Sequence, residues 1–190
     1  MRDTMQRLRL TEISCSDPAG TPALDPRVTE QRLNRSVFRI LRANVLCSIA
    51  SVTADHRAHI NTAYFCYSDV LEIYFLSHPG ALHCRNLSQN PSLAITMFSS
   101  GQEWGGSDAG VQLFGVSDQA RGPLARQAER LYGQRFPTFV TWRASRKKGD
   151  VAQAYRFYRF LTERVKVLDE REFGAGVFVS AHVRRERAAK

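Results

Sequence analysis

Between residues 46 and 76 the hydrophobic pattern of this chain changes period, and that change limits the fold more than any other feature. Before it, Leu33, Val37, Ile40 and Leu41 recur at helical spacing. Asp25-Pro26 reads as the start of that helix, with Asp as the N-cap and Pro in the first position, and the helix runs to about Ala43. After it come three runs with strand character, residues 46–53, 58–67 and 70–76, joined by Ala54-Asp-His-Arg57 and Ser68-Asp69. Links this short suit two consecutive hairpins, so an antiparallel meander is expected.

The third run leads into Ile73-Tyr-Phe-Leu-Ser77-His-Pro-Gly, then into a short helix that carries His83, Arg85 and Asn86 and stops at Asn90-Pro91. A strand end meeting a helix N-terminus aims free N–H groups at one spot, a seat for an anion such as phosphate. A plain connecting helix is the competing reading. A fourth strand follows at 92–98, a Gly- and Ser-rich loop with Trp104 at 99–110, and a fifth strand at 111–120. Pro123 opens a helix to about residue 135, with Leu124, Ala128, Leu131 and Tyr132 on one side and Arg126, Glu129 and Arg130 on the other. Residues 136–150 are basic and aromatic and suit a loop-like lid or connection. Strands at 155–161, 164–168 and 176–183 complete a mainly β chain, an antiparallel six- to seven-stranded barrel with flanking helices. The expected organisation is a loose leader at 1–24, one domain at 25–183 and a basic tail at 184–190.

The 190 residues fit one domain, and no apolar run approaches the roughly 18 to 20 residues that cross a membrane. The first ten residues alternate charged with apolar side chains and have no apolar core of a secretory signal, so a cytoplasmic location is expected. Cys15, Cys47, Cys66 and Cys84 form no C-x-x-C pair and no Cys/His cluster at zinc spacing, so they read as reduced thiols, and no metal site is expected. A formal net charge of +9 favours an anionic partner. The charge is scattered, however, and clusters only at Arg143-Ala-Ser-Arg-Lys-Lys148 and Arg184-Arg-Glu-Arg187. Nucleic-acid binding rests on charge alone and is not expected; Phe136, Phe139 and Trp142 read as packing residues. GxxxxGK[ST], GxGxxG after a strand, HExxH and GxSxG are all absent, which sets aside the chemistries those motifs serve.

Several strings, in order, resemble the pyridoxamine 5′-phosphate oxidase-like, flavin-binding split-barrel family. They are Leu46-Cys-Ser-Ile-Ala-Ser-Val-Thr-Ala-Asp55, Ala58-His-Ile-Asn-Thr-Ala-Tyr-Phe65, Ile73-Tyr-Phe-Leu-Ser77, His83-Cys-Arg-Asn-Leu-Ser-Gln-Asn-Pro91, Trp104 followed by Val111-Gln-Leu-Phe-Gly115, and Glu163-Arg-Val-Lys-Val-Leu-Asp-Glu-Arg-Glu-Phe-Gly174. The resemblance covers about residues 39–182. It implies a split barrel, a homodimer, FMN at the dimer interface, and a flavin-dependent oxidoreductase acting on a small organic substrate.

By position, the resemblance implies ring contacts from Asn61, Thr62 and Ala63, with Phe75, Leu76 and Ser77 at the third-strand end. His83 and Arg85 would stand near the phosphate, and Trp104 and Gln112 would approach from the fifth strand and its loop. Read from the residues alone, Asn61 is equally a solvent-facing strand residue, Trp104 a core or lid aromatic, and His83 a surface helix residue. No catalytic acid or base is singled out. Ala81 and Leu82 stand where the family often has Ser-Arg, and Asn61 and Cys66 stand where the oxidase itself uses Arg and Lys. Pyridoxamine phosphate oxidation is therefore not expected, and weakened or absent flavin binding stands as an alternative to full binding. The alternatives are a cofactor-free barrel with a binding role or other chemistry in the same cleft, or an F420- or haem-binding relative. His56, His59, His78, His83 and His182 form no diagnostic haem pattern.

Overall fold

Both expected hairpins form in the computed structural model, which describes residues 6–23, 25, 27–147 and 149–187. The strands are β1 (Gln6–Ser16), β2 (Pro22–Ala23), β3 (Leu46–Val52), β4 (Ala58–Tyr67), β5 (Glu72–Ser77), β6 (Ser92–Phe98), β7 (Ala109–Gln119), β8 (Arg156–Asp169) and β9 (Phe178–Arg187). The helices are α1 (Glu30–Ala43), α2 (Leu82–Gln89), α3 (Pro123–Arg135), α4 (Pro137–Ala144) and α5 (Glu170–Phe173). Strand neighbours follow the order β2-β1-β9-β8-β5-β4-β3-β6-β7, and β7 also pairs with β8. The six strands from β8 to β7 in that order form a closed antiparallel barrel, the mainly β fold that the meander predicts. The chain divides into two compact units, residues 1–45, 95–114 and 162–190 in one, and residues 46–94 and 115–161 in the other.

In the first unit β1 pairs with β9 from Gln6↔Arg187 to Ser16↔Phe178, with a register shift between Thr11 and Ser14 where Glu12 takes φ 54°. This corrects two expectations: the loose leader and the basic tail are, over these residues, paired strands. The alternation of Arg7, Leu8, Arg9 and Leu10 is strand periodicity, and pairing satisfies backbone groups while burying Leu10 and Cys15. Residues 1–5 and 188–190 lie outside the described residues.

Helix α1 begins later than expected. Thr29, not Asp25, caps it, accepting from the Arg32 N–H at 3.3 Å. Asp25 instead accepts from the Arg27 N–H and guanidinium, and Pro26 lies outside the described residues. The face with Leu33, Val37, Ile40 and Leu41 is buried as its spacing predicts. Its polar side is tied down as well: Glu30 accepts from Arg9 and from the Leu10 N–H, Arg32 donates to Glu172, and Ser36 and Arg39 both donate to the buried Asp169.

In the second unit β3 and β4 pair from Leu46↔Tyr64 to Val52↔Ala58, and β4 and β5 from Phe65↔Phe75 to Tyr67↔Ile73. The runs at 155–161 and 164–168 prove to be one strand, β8. Its first half, as far as Leu161, pairs with β5 and its second, from Arg164, with β9, and the strand itself runs unbroken through the exposed Glu163 between them. Residues 137–144, expected as loop, form α4, with Pro137 in the first turn. Helices α3 and α4 close over a core of Cys66, Tyr74, Ala120, Ala128, Tyr132, Phe139 and Phe157. Gly122, with φ 54° and ψ −126°, makes the turn into α3 that a side chain would oppose.

Candidate cofactor cleft

A cleft of about 770 Å³ opens in the second unit. Three consecutive elements make one side of it: β4 through Asn61, Thr62, Ala63 and Tyr64, β5 through Leu76 and Ser77, and α2 through His83. The other side is Tyr132, Phe136, Thr138, Phe139 and Trp142 of α3, α4 and the residue between them, with Tyr155. A volume of this order suits a small organic ligand or the ring of a cofactor.

The local geometry follows from the strand-to-helix junction. Ser77 is the last residue of β5 and His83 the second of α2, and the His78-Pro-Gly-Ala81 turn folds the two together. Ser77 Oγ and His83 Nε2 share a hydrogen bond at 2.7 Å. The His83 ring lies parallel to that of His59, centroids 6.4 Å apart, and against Phe75 at 6.2 Å. Burial, helped by the neighbouring His59, lowers its pKa, so the ring is neutral at pH 7.

The start of α2 has no capping side chain, because Ala81 stands in the cap position. Its first-turn N–H groups therefore stay available to a ligand. Arg85 turns back over the same spot, its Nη1 donating to the Gly80 carbonyl at 2.7 Å and leaving the rest of the exposed guanidinium facing outward. Asn61 Oδ1 is buried without a hydrogen-bond partner among the described residues.

Six of the residues expected from the sequence, Asn61, Thr62, Ala63, Leu76, Ser77 and His83, thus meet on one cleft. Phe75 does not line it; it is fully buried beneath His83 and stacks on Tyr158 at 5.5 Å. Arg85 stands at the helix start rather than in the lining. Trp104 and Gln112 belong to the first unit. Trp104 is fully exposed, and Gln112 lines a separate cleft of about 350 Å³ with Lys166 and Phe178. Sequence reasoning missed the aromatic wall. Its signal was the aromatic content of the segment from residue 136, which reads equally well as packing. The rings do both: Tyr132 meets Phe136 at 4.8 Å and Phe139 at 4.9 Å, while the same side chains face the cleft. Among the described residues no group of three or more His, Cys, Asp or Glu is placed to hold a metal ion.

The profile of the pyridoxamine 5′-phosphate oxidase family matches residues 33–169, more than half of the chain. The chain belongs to that family. No curated protein matches it in sequence. Solved structures similar to this pyridoxamine 5′-phosphate oxidase family member include a heme-binding protein from Mycobacterium smegmatis, with 16% identity and a TM-score of 0.63 over 84% of this chain and 60% of the other. HutZ, a heme storage protein from Vibrio cholerae, has 19% identity and a TM-score of 0.57 over 78% and 95%. A Listeria innocua protein provisionally named pyridoxamine 5′-phosphate oxidase has 15% identity and a TM-score of 0.56 over 72% and 98%. At these identities the likeness is one of fold. No helix among the described residues is long and apolar enough to cross a membrane.

Proposed function

We propose that the chain is an FMN-dependent oxidoreductase acting on a small organic substrate in the second unit's cleft, as a cytoplasmic homodimer. One observation carries the reading: β4, β5 and α2 bring Asn61, Thr62, Ala63, Leu76, Ser77 and His83 onto one cleft beside an uncapped helix start that also carries Arg85. A flavin mononucleotide needs a flat apolar slot, a polar edge and a seat for a dianion. Ala63 and Leu76, on the strand side of the cleft, suit the first. The unpartnered Asn61 amide oxygen and the Thr62 and Ser77 hydroxyls suit the second. The first-turn N–H groups of α2 with the Arg85 guanidinium suit the third.

Bound FMN supplies reversible two-electron transfer to or from an organic substrate. The chain's own share is to hold and orient. Ser77 fixes the His83 ring, and His83, being neutral, offers a hydrogen bond to the ligand without adding a charge. A homodimer suits the outer face of β4, where Ile60 and Tyr64 are 67% and 54% exposed and Leu46 stands opposite Tyr64. The free state of all four cysteines suits a reducing compartment.

An absorption spectrum of the purified protein, followed by FMN titration, tests the reading. Flavin bands, or saturable uptake of FMN at one per chain, support it. A colourless protein that takes up no FMN overturns it. A haem reading has one observation in its favour, the neutral His83 imidazole facing His59, because neutral imidazole is the form that ligates iron. A sharp haem band that disappears in His83→Ala would move the assignment there.

A further inference from the structure

The cleft lining is uncharged. The protein carries 27 Lys and Arg and 18 Asp and Glu in 190 residues, yet none of the thirteen lining residues is among them. At a charged fraction of 24%, a surface patch of that size would hold about three such groups, since charged side chains concentrate at surfaces. The helices that form the wall are not short of charge. Arg126, Arg130 and Arg143 line a different groove of about 650 Å³ together with Glu129. Arg135, next to Phe136 in sequence, does not line the cleft, and its guanidinium lies about 5 Å from the Phe65 and Tyr67 rings. The α3–α4 pair thus presents rings to the cleft and arginines elsewhere.

We infer that the wall side of this cleft takes uncharged, planar aromatic molecules, such as quinones, and disfavours those bearing phosphate, sulfonate or carboxylate. The half-buried Phe136, Trp142 and Tyr155, backed by the buried Tyr132 and Phe139, offer aromatic surface to a flat apolar partner. An anion placed there loses water and gains no cation, a penalty that pairing at the distant side of a groove does not repay. The phosphate of FMN escapes this penalty because its seat lies at the α2 start, outside the wall. The substrate class deepens the flavin reading, on which its redox use rests; binding itself is independent of that reading.

Isothermal titration of the full-length protein with 1,4-naphthoquinone and with its 2-sulfonate tests the inference, with and without added FMN. Thr138 lines the cleft, is exposed, and stands in the first turn of α4, so Thr138→Arg introduces a cation at the wall without disturbing the core. The expected result is binding of the neutral quinone at least about tenfold tighter than the sulfonate in the wild type, with that preference lost or reversed in Thr138→Arg. Equal or tighter sulfonate binding by the wild type, no binding of either compound, or an unchanged preference in Thr138→Arg overturns it. FMN uptake, read separately by flavin absorbance, decides the flavin reading alone.

Discussion

Burial holds the His83 imidazole below its ordinary pKa of 6.5, and the facing His59 adds to the effect. A histidine whose folded pKa is lowered binds fewer protons folded than unfolded as pH falls through the ordinary value. Stability is therefore expected to decline below about pH 6.5, and His83→Gln should flatten that part of the profile, as urea unfolding between pH 5 and 7 would read. A profile of unchanged slope in the variant would mean that His83 is not the titrating group. A second residue-scale prediction concerns Glu72, buried at the β4–β5 turn, which accepts from Tyr74 Oη at 2.8 Å and lies 3.7 Å from Arg159. Burial and this carboxylate both raise the Tyr74 pKa. Tyr74→Phe leaves the carboxylate short of a donor and should cost about 1–3 kcal/mol in chemical denaturation; a variant as stable as the wild type would show that Ser68 and Arg159 suffice. Neither feature is visible in the sequence, where Glu72 is one polar residue within the run at 70–76.

At the scale of elements, α2 is the part whose composition differs most from what its position suggests. The helix starts on Ala81 without a side-chain cap, and its N-terminal groups face the turn that joins it to β5. Exchanging Ala81 and Leu82 for Ser and Arg adds one hydroxyl and one guanidinium at that spot. FMN affinity should rise by about tenfold or more in a flavin-fluorescence titration, given the strength of charge-assisted hydrogen bonds; an unchanged affinity would place the phosphate elsewhere. The ends of α2 and α3 were legible because Asn90-Pro91 and Pro123 act on the backbone locally. Helix α4 was not. Its residues are amphipathic only in the sense that Phe139 is buried while Val140 is exposed, and the segment becomes helix by packing on α3 and the core below.

For the molecule as a whole, assembly turns on β4. Residues 58, 60, 62 and 64 are all exposed, so this strand offers apolar side chains on the face turned away from its core. Ile60→Asp with Leu46→Asp, neither of which lines the cleft, should convert a dimer to monomers in sedimentation and weaken FMN uptake in parallel. A double variant that remains dimeric would put the interface on another surface. Trp104 and Gln112 lie in the first unit and are not among the residues that line the cleft.

The sequence by itself determined the meander, the buried face of α1, the limits of α3 and the junction that carries Ser77 and His83. Each is written in spacing, turn residues or caps that act within a few positions. Tertiary structure alone decided that residues 6–16 are a strand rather than a loose end, because the ladder that holds them is β9, some 170 positions away. It also decided that β8 is continuous and that the rings of α3 and α4 form a cleft wall. Backbone pairing and burial between distant segments leave no local period to read, and the chemistry of the cleft depends on them.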